Sequence, residues 1–309
     1  HGNGDFRGRG TRVVVTTADK TATSLPRSIA RPFVWLALFL LAILATQSLV
    51  TSVVLLGFVY ARMHLRITGH AVEGLWAKVK LGIAGTLTLA SLTLIPGILW
   101  TFAWQAGWDN SFNKGYEQAT IGPLTGVLGI AIFALIMPYV QIAQSQHAAT
   151  GDWRAFYRFR ENIKLWSGAP ISAALLPIVY ALAGLPIFLL FAGPTFLPQM
   201  TSYADTTDAE VLARLRAWYF LGGALFVPLL FGVKRVVVWV YIRAAAARPD
   251  HPKLRLAICY PIVAALWFFV VAELFIGQFL NNHGPLGWLN LPLIQLPAVN
   301  RVPPGLVSG

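Results

Sequence analysis

LAICYPIVAALWFFVVAELFIGQFL, Leu256–Leu280, is twenty-five residues long and holds one charged side chain, Glu273. As a helix rising 1.5 Å per residue it reaches about 38 Å, more than the roughly 30 Å hydrocarbon core of a bilayer. Five further runs share this character: Phe33–Ala61, Leu81–Trp104, Ile121–Ala143, Ala169–Ala192 and Ala217–Val233, the last continuing toward Ile242. None alternates in polarity as a transmembrane strand does. The expected fold class is an all-α integral membrane protein, a bundle of about six transmembrane helices. The division is a polar basic N-terminal tail (1–32), a six-helix transmembrane domain (33–280) and a Pro/Gly-rich C-terminal tail (281–309).

Composition points the same way. Of 309 residues, 56% are hydrophobic and 12% charged, against roughly a quarter charged in soluble domains. The net charge of +12 accompanies long uncharged runs, which fits basic loops against anionic lipid better than nucleic acid as a partner. The single cysteine, Cys259, excludes an intrachain disulfide and a multi-cysteine zinc site. The leader before Phe33 is long for a signal peptide, and the run behind it reads as a retained segment.

Charge sets the expected orientation. The loops Arg62–Lys80, Gln144–Gly168 and Lys234–Arg255 hold fourteen Lys and Arg, while the alternate loops and C-terminal tail hold Lys114, Arg214, Arg216 and Arg301. Fourteen against four places the first set in the cytoplasm. The N-terminal tail conflicts, since six crossings put it outside although it carries six cations. A polar step at Thr46-Gln47-Ser48 marks where Phe33–Ala61 could break or re-enter. The adjacent Lys234 and Arg235 are expected to snorkel at the membrane edge. Each basic loop with its flanking helices would form a helical hairpin, three in all. The first two loops share Thr-Gly, at Thr68-Gly69 and Thr150-Gly151, and Lys-Leu, at Lys80-Leu81 and Lys164-Leu165.

The segment Thr150–Trp166 is expected to form a cytoplasmic amphipathic helix capped by Thr150 or Asp152. Its rings Trp153, Phe156, Tyr157, Phe159 and Trp166 share a broad face. Trp153, Arg154, Arg158, Arg160 and Lys164 are candidate contacts for anionic lipid headgroups. The residues Ala149-Thr150-Gly151-Asp152, then Phe156 and Phe159-Arg160, resemble a family of bacterial and archaeal polytopic proteins catalogued as domain of unknown function 4013. That resemblance implies a multi-pass architecture in a prokaryotic cytoplasmic membrane, and no activity.

Glu273 is a candidate intramembrane polar site, because a carboxylate at membrane depth is costly unless paired, neutral or near water. It is expected toward the outer interface. His64, His70, His147 and His251 fall in the cytoplasmic loops but lack the spacing of a helical zinc motif, and no metal or cofactor is expected. Trp100, Trp104 and Trp108 suggest an interfacial belt. Gly122 and Gly126 have the spacing of close helix approach. Prolines at 96, 123, 138, 170, 177, 186, 228 and 261 would kink the bundle. Leu286–Pro297 is apolar enough to lie on the membrane or against a partner. Phosphate-loop, nucleophile-elbow and metalloprotease motifs are absent from the sequence. The leading expectation is a non-enzymatic accessory or structural subunit of a membrane assembly, in contact with lipids and other subunits. The alternative is a transporter or lipid-handling protein built on kinked helices.

Overall fold

The computed structural model describes residues 27–113, 118–200, 207–247, 252–280, 286–291 and 293–298. Its described secondary structure is helical throughout: α1 (Arg27–Ala45), α2 (Leu49–Thr68), α3 (Leu75–Leu92), α4 (Leu94–Asn113), α5 (Gln118–Thr150), α6 (Phe159–Gly168), α7 (Pro170–Met200), α8 (Asp208–Ala246) and α9 (Pro252–Leu280). Short 3-10 turns lie at Trp153–Tyr157 and Gly287–Asn290. The chain divides into two compact units, residues 1–37 and 38–309. The first contributes the opening turns of α1, and the second holds the rest of α1 and the other described elements.

Five helices are long and apolar enough to cross a membrane: Leu49–Thr68, Ile121–Thr150, Pro170–Leu190, Leu212–Ala246 and Lys253–Ile276. Outward residues such as Leu182 and Phe269 are each 71% exposed. A helix that leaves large apolar side chains uncovered while its polar groups are buried suits a lipid solvent, as in a multi-pass membrane protein.

The first apolar run divides where its polar step falls. Helix α1 ends at Ala45 and α2 begins at Leu49, with Ser48 accepting from the Val50 amide at 3.3 Å as the cap. The apolar part of α1, Pro32–Ala45, is too short to cross a membrane, whereas α2 is long and apolar enough alone. Helix α2 then continues past Ala61 to Thr68, so Arg62 and Arg66 lie on a helix rather than in a loop.

The second run is not straight. Helices α3 and α4 meet at Thr93 with a bend of 70° and are long and apolar enough to span only together. Pro96 explains the break, for it lacks an amide hydrogen and its ring would clash with the carbonyl one turn back. Thr93 caps α3 instead, its amide donating to the Leu89 carbonyl (3.0 Å).

The two Thr-Gly sequences form the same helix ending. Thr68 donates to the His64 carbonyl (2.9 Å) and accepts from the His70 amide (3.1 Å). Thr150 donates to the Gln146 carbonyl (2.9 Å) and accepts from the Asp152 amide (3.2 Å). Gly69 and Gly151 follow at φ of 79° and 71°, the left-handed geometry that glycine adopts without steric cost. His64 Nδ1 lies 2.8 Å from the Ala148 carbonyl, so the two endings abut.

The expected amphipathic helix is two pieces. A 3-10 turn, Trp153–Tyr157, is capped by Asp152, whose carboxylate accepts from the Arg154 amide at 2.9 Å. Arg158 breaks the path before α6. Asn162 joins the pieces by donating to Tyr139 Oη (3.0 Å) and the Ala155 carbonyl (2.8 Å). The rings therefore separate: Phe156 and Trp166 enter the core, while Trp153, Tyr157 and Phe159 stay exposed.

Candidate functional site

Lys234 is 2% exposed, whereas its neighbour Arg235 is exposed. The expected pair of snorkelling cations is thus divided by the turn of α8, which points one residue inward and the next outward. The Lys234 ammonium donates to Gln144 Oε1 on α5 (2.7 Å) and to Tyr180 Oη on α7 (3.0 Å). Tyr180 donates in turn to Gln141 Oε1 (2.6 Å), one helical turn from Gln144. Trp267 of α9 packs on the Tyr180 ring with centroids 4.7 Å apart. Tyr60 of α2 is fully buried, its hydroxyl against the Gln144 amide without a well-directed hydrogen bond. Five helices therefore contribute to one buried polar cluster. Its only formal charge among these partners is the lysine.

The C-terminal segment completes the cluster. Gln144 Nε2 donates to the Ile294 carbonyl (2.8 Å), and the Leu293 carbonyl lies 3.5 Å from Tyr180 Oη. Leu291, Leu293, Ile294, Leu296 and Ala298 are all buried. The sequence places Leu286–Pro297 on a membrane surface or against a partner, whereas its buried residues pack into the chain's own bundle. Trp288 lies against Gly97, where an added Cβ would come within 2.4 Å of the ring. The Gln295 amide oxygen accepts from Thr93 Oγ1 (2.6 Å) and its nitrogen donates to the Leu289 carbonyl (3.2 Å). The bend forced by Pro96 is where the segment is latched.

The other sequence candidates lie elsewhere. Glu273 is half-buried against Gly184, where an added Cβ would come within 3.3 Å of its carboxylate. Its Oε1 is buried without a hydrogen-bond partner among the described residues. Trp153, Arg154, Arg158, Arg160 and Lys164 are all exposed. Arg154 lies over the Trp153 ring at 5.6 Å, and Arg158 pairs with Asp152 (3.1 Å) and Glu161 (3.7 Å). His147 does not lie in a loop. It is buried on α5, with Nδ1 3.1 Å from the Asp152 carbonyl and Nε2 3.2 Å from the Leu81 carbonyl. His251 lies outside the described residues, and those that are described contain no group of three metal-ligating side chains. Trp100 belongs to the core rather than an interfacial belt, 2% exposed and edge-on to Phe275. The side chain of Trp108 lies outside the described residues.

The Lys234 cluster is not expected from the sequence, although a signal for it is present there. Gln141, Gln144 and Ser145 stand one turn apart beyond Pro138, and all three are fully buried. Glutamines at helical spacing at the end of an apolar run are costly to bury unless their amides find partners. No family model, curated protein or solved structure matches the chain.

Proposed function

We propose that the chain is a non-enzymatic, six-crossing protein of a prokaryotic cytoplasmic membrane that takes a small solute into its helix bundle at Lys234. The observation carrying this reading is the buried ammonium between α5, α7 and α8, held by neutral partners. An ionised side chain at membrane depth is costly, and its usual use is a solute or ion pathway. The α3–α4 bend adds a second feature of transporters, a discontinuous helix beside the polar site. In this topology α2, the α3–α4 pair, α5, α7, α8 and α9 each cross once. The three hairpins and the cytoplasmic side of the basic loops stand as part of the proposal. The resemblance to domain of unknown function 4013 supports the prokaryotic membrane and nothing finer.

The test is a flux survey. Purified protein in liposomes is challenged with sugars, amino acids, organic acids and inorganic ions on a solid-supported membrane. One class should give a saturating signal that Lys234→Met abolishes. Silence across all classes would count against solute handling.

A second reading, an accessory subunit of a membrane assembly, has its own support in α1. Leu38, Leu41 and Leu44 are exposed on a helix too short to span, which suits a partner helix beside it. Lipid contact at the basic end is supported by cation–aromatic pairs, Arg154 with Trp153, Lys80 with Trp76 and Arg243 with Trp239. Copurification of a fixed partner at constant stoichiometry would favour the subunit reading over the transporter.

A further inference from the structure

The Lys234 cluster holds more donors than acceptors. Two of the ammonium's three hydrogens are directed at Gln144 and Tyr180, and the third has no acceptor among the described residues. Gln141 Nε2, on a residue with 0% exposure, has no partner for either of its hydrogens. Tyr60 Oη, also at 0% exposure, is likewise unmatched. Each unmatched group is one residue from the ammonium along the cluster: Gln141 through Tyr180, and Tyr60 through Gln144. Unmet buried donors are costly, and a cation with no counter-ion more so. Such an arrangement is complementary to an acceptor carrying negative charge.

Two backbone oxygens already stand at the edge of this arrangement. The successive carbonyls of Leu293 and Ile294 face Tyr180 and Gln144. They are neutral, and the hydrogen bonds of the lysine go to Gln144 and Tyr180 rather than to them. Leu293 reaches this position at φ 67°, a conformation disfavoured for a residue with a branched side chain. The segment is thus held against a local backbone preference by burial and by the Gln295–Thr93 latch.

We propose that the Lys234 cluster is a binding site for a small monocarboxylate, and that residues 286–291 and 293–298 cap it through the Leu293 and Ile294 carbonyls. This rests on the solute-handling reading and names its substrate class. A carboxylate supplies what the carbonyl pair lacks, a full charge for Lys234 together with two acceptor oxygens for the surrounding amide and hydroxyl donors. Binding displaces the cap, so apparent affinity is reduced by the fraction of molecules in which the cap is closed.

Isothermal titration of the full chain in detergent with sodium acetate, at constant ionic strength, tests the site directly. Wild type should bind acetate saturably, Lys234→Met at least about 30-fold more weakly, and Arg235→Met, at the exposed neighbour, as wild type does. Gln295→Ala, which opens the latch and leaves the ligand donors intact, should bind about 5-fold more tightly. That variant also keeps the proposal testable where Lys234→Met does not fold. Absence of acetate binding in both wild type and Gln295→Ala, or chloride binding as tightly as acetate, overturns the site. Acetate binding without carboxylate flux in liposomes would leave the site standing and remove transport. Solute flux indifferent to Lys234→Met would do the reverse.

Discussion

The Lys234 ammonium is bonded to an amide oxygen and a phenol, and no carboxylate among the described residues is paired with it. This sets its behaviour on substitution. Removing one member of a buried ion pair is strongly destabilising because the other charge is stranded. Here only neutral groups are left behind, at about 1–3 kcal/mol for the lost hydrogen bonds. Against that stands the desolvation penalty of the ammonium, several kcal/mol even after relaxation. Lys234→Met, with a similar unbranched stem, should therefore unfold at the same temperature as wild type or higher while solute handling is lost. Thermal unfolding in detergent measures it, and a loss of more than about 3 kcal/mol would show that the charge serves the fold instead. From sequence alone the lysine could not be read this way. Beside Arg235 and at the end of an apolar stretch, a snorkelling pair was the economical expectation. Its partners stand 90 and 54 positions away, so only the tertiary fold reveals them.

Between α2 and α3 the packing is set by glycine. A Cβ at Gly57 would lie 2.0 Å from the Lys78 carbonyl oxygen, and one at Gly82 would lie 2.2 Å from that of Val53. The obstacles are backbone atoms on the facing helix, so the helices must separate to admit any side chain. A Cβ at Gly85 would meet the Tyr60 ring at 2.2 Å, which ties the same interface to the polar cluster. Gly82→Val should cost about 3 kcal/mol and weaken solute signals through displacement of Tyr60. Gly126→Ala, where the nearest atom is an ordinary 3.4 Å away, should be neutral. Denaturant unfolding of the two variants separates them, and equal stabilities would contradict the close approach. The Gly122–Gly126 spacing was legible but led to the looser contact, because spacing along one helix carries no information about what faces it. Hydropathy located the apolar runs well, since length and lack of charge are properties of the chain itself. The Thr93 bend was less legible, because Pro96 alone does not say whether a neighbour will satisfy the freed carbonyl or the helix will break.

Among the described residues from Leu38 onward, the basic helix endings gather at one end. The endings of α2 and α5 meet through His64 and Ala148, and α8 joins α5 through Tyr241, which donates to Gln146 Oε1 at 2.8 Å. Arg62, Arg66, Arg154, Arg158, Arg160, Lys164 and Arg243 belong to these endings and the loops they bound. The α1–α2 break lies toward the opposite end, where Gln47 Nε2 reaches the Tyr219 carbonyl (3.3 Å) early in α8. Helix α8 runs from Asp208 to Ala246, about 58 Å at 1.5 Å per residue, nearly twice the hydrocarbon thickness. Its two ends must then lie in different aqueous phases if it crosses. Exposed Glu210 marks one end, and exposed Arg154, beyond the end of α5, marks the other. The excess of cations at the second end predicts that it faces the cytoplasm. In a Cys259→Ser background, which removes the chain's single cysteine, Arg154→Cys should react in intact cells only with a membrane-permeant maleimide. Glu210→Cys should react with an impermeant one. Reversal of the two would invert the topology, and reaction of both with the impermeant reagent would mean that α8 does not cross. A positive result would also place Lys234 between those phases, at the depth where a buried cation needs the answering charge proposed for it.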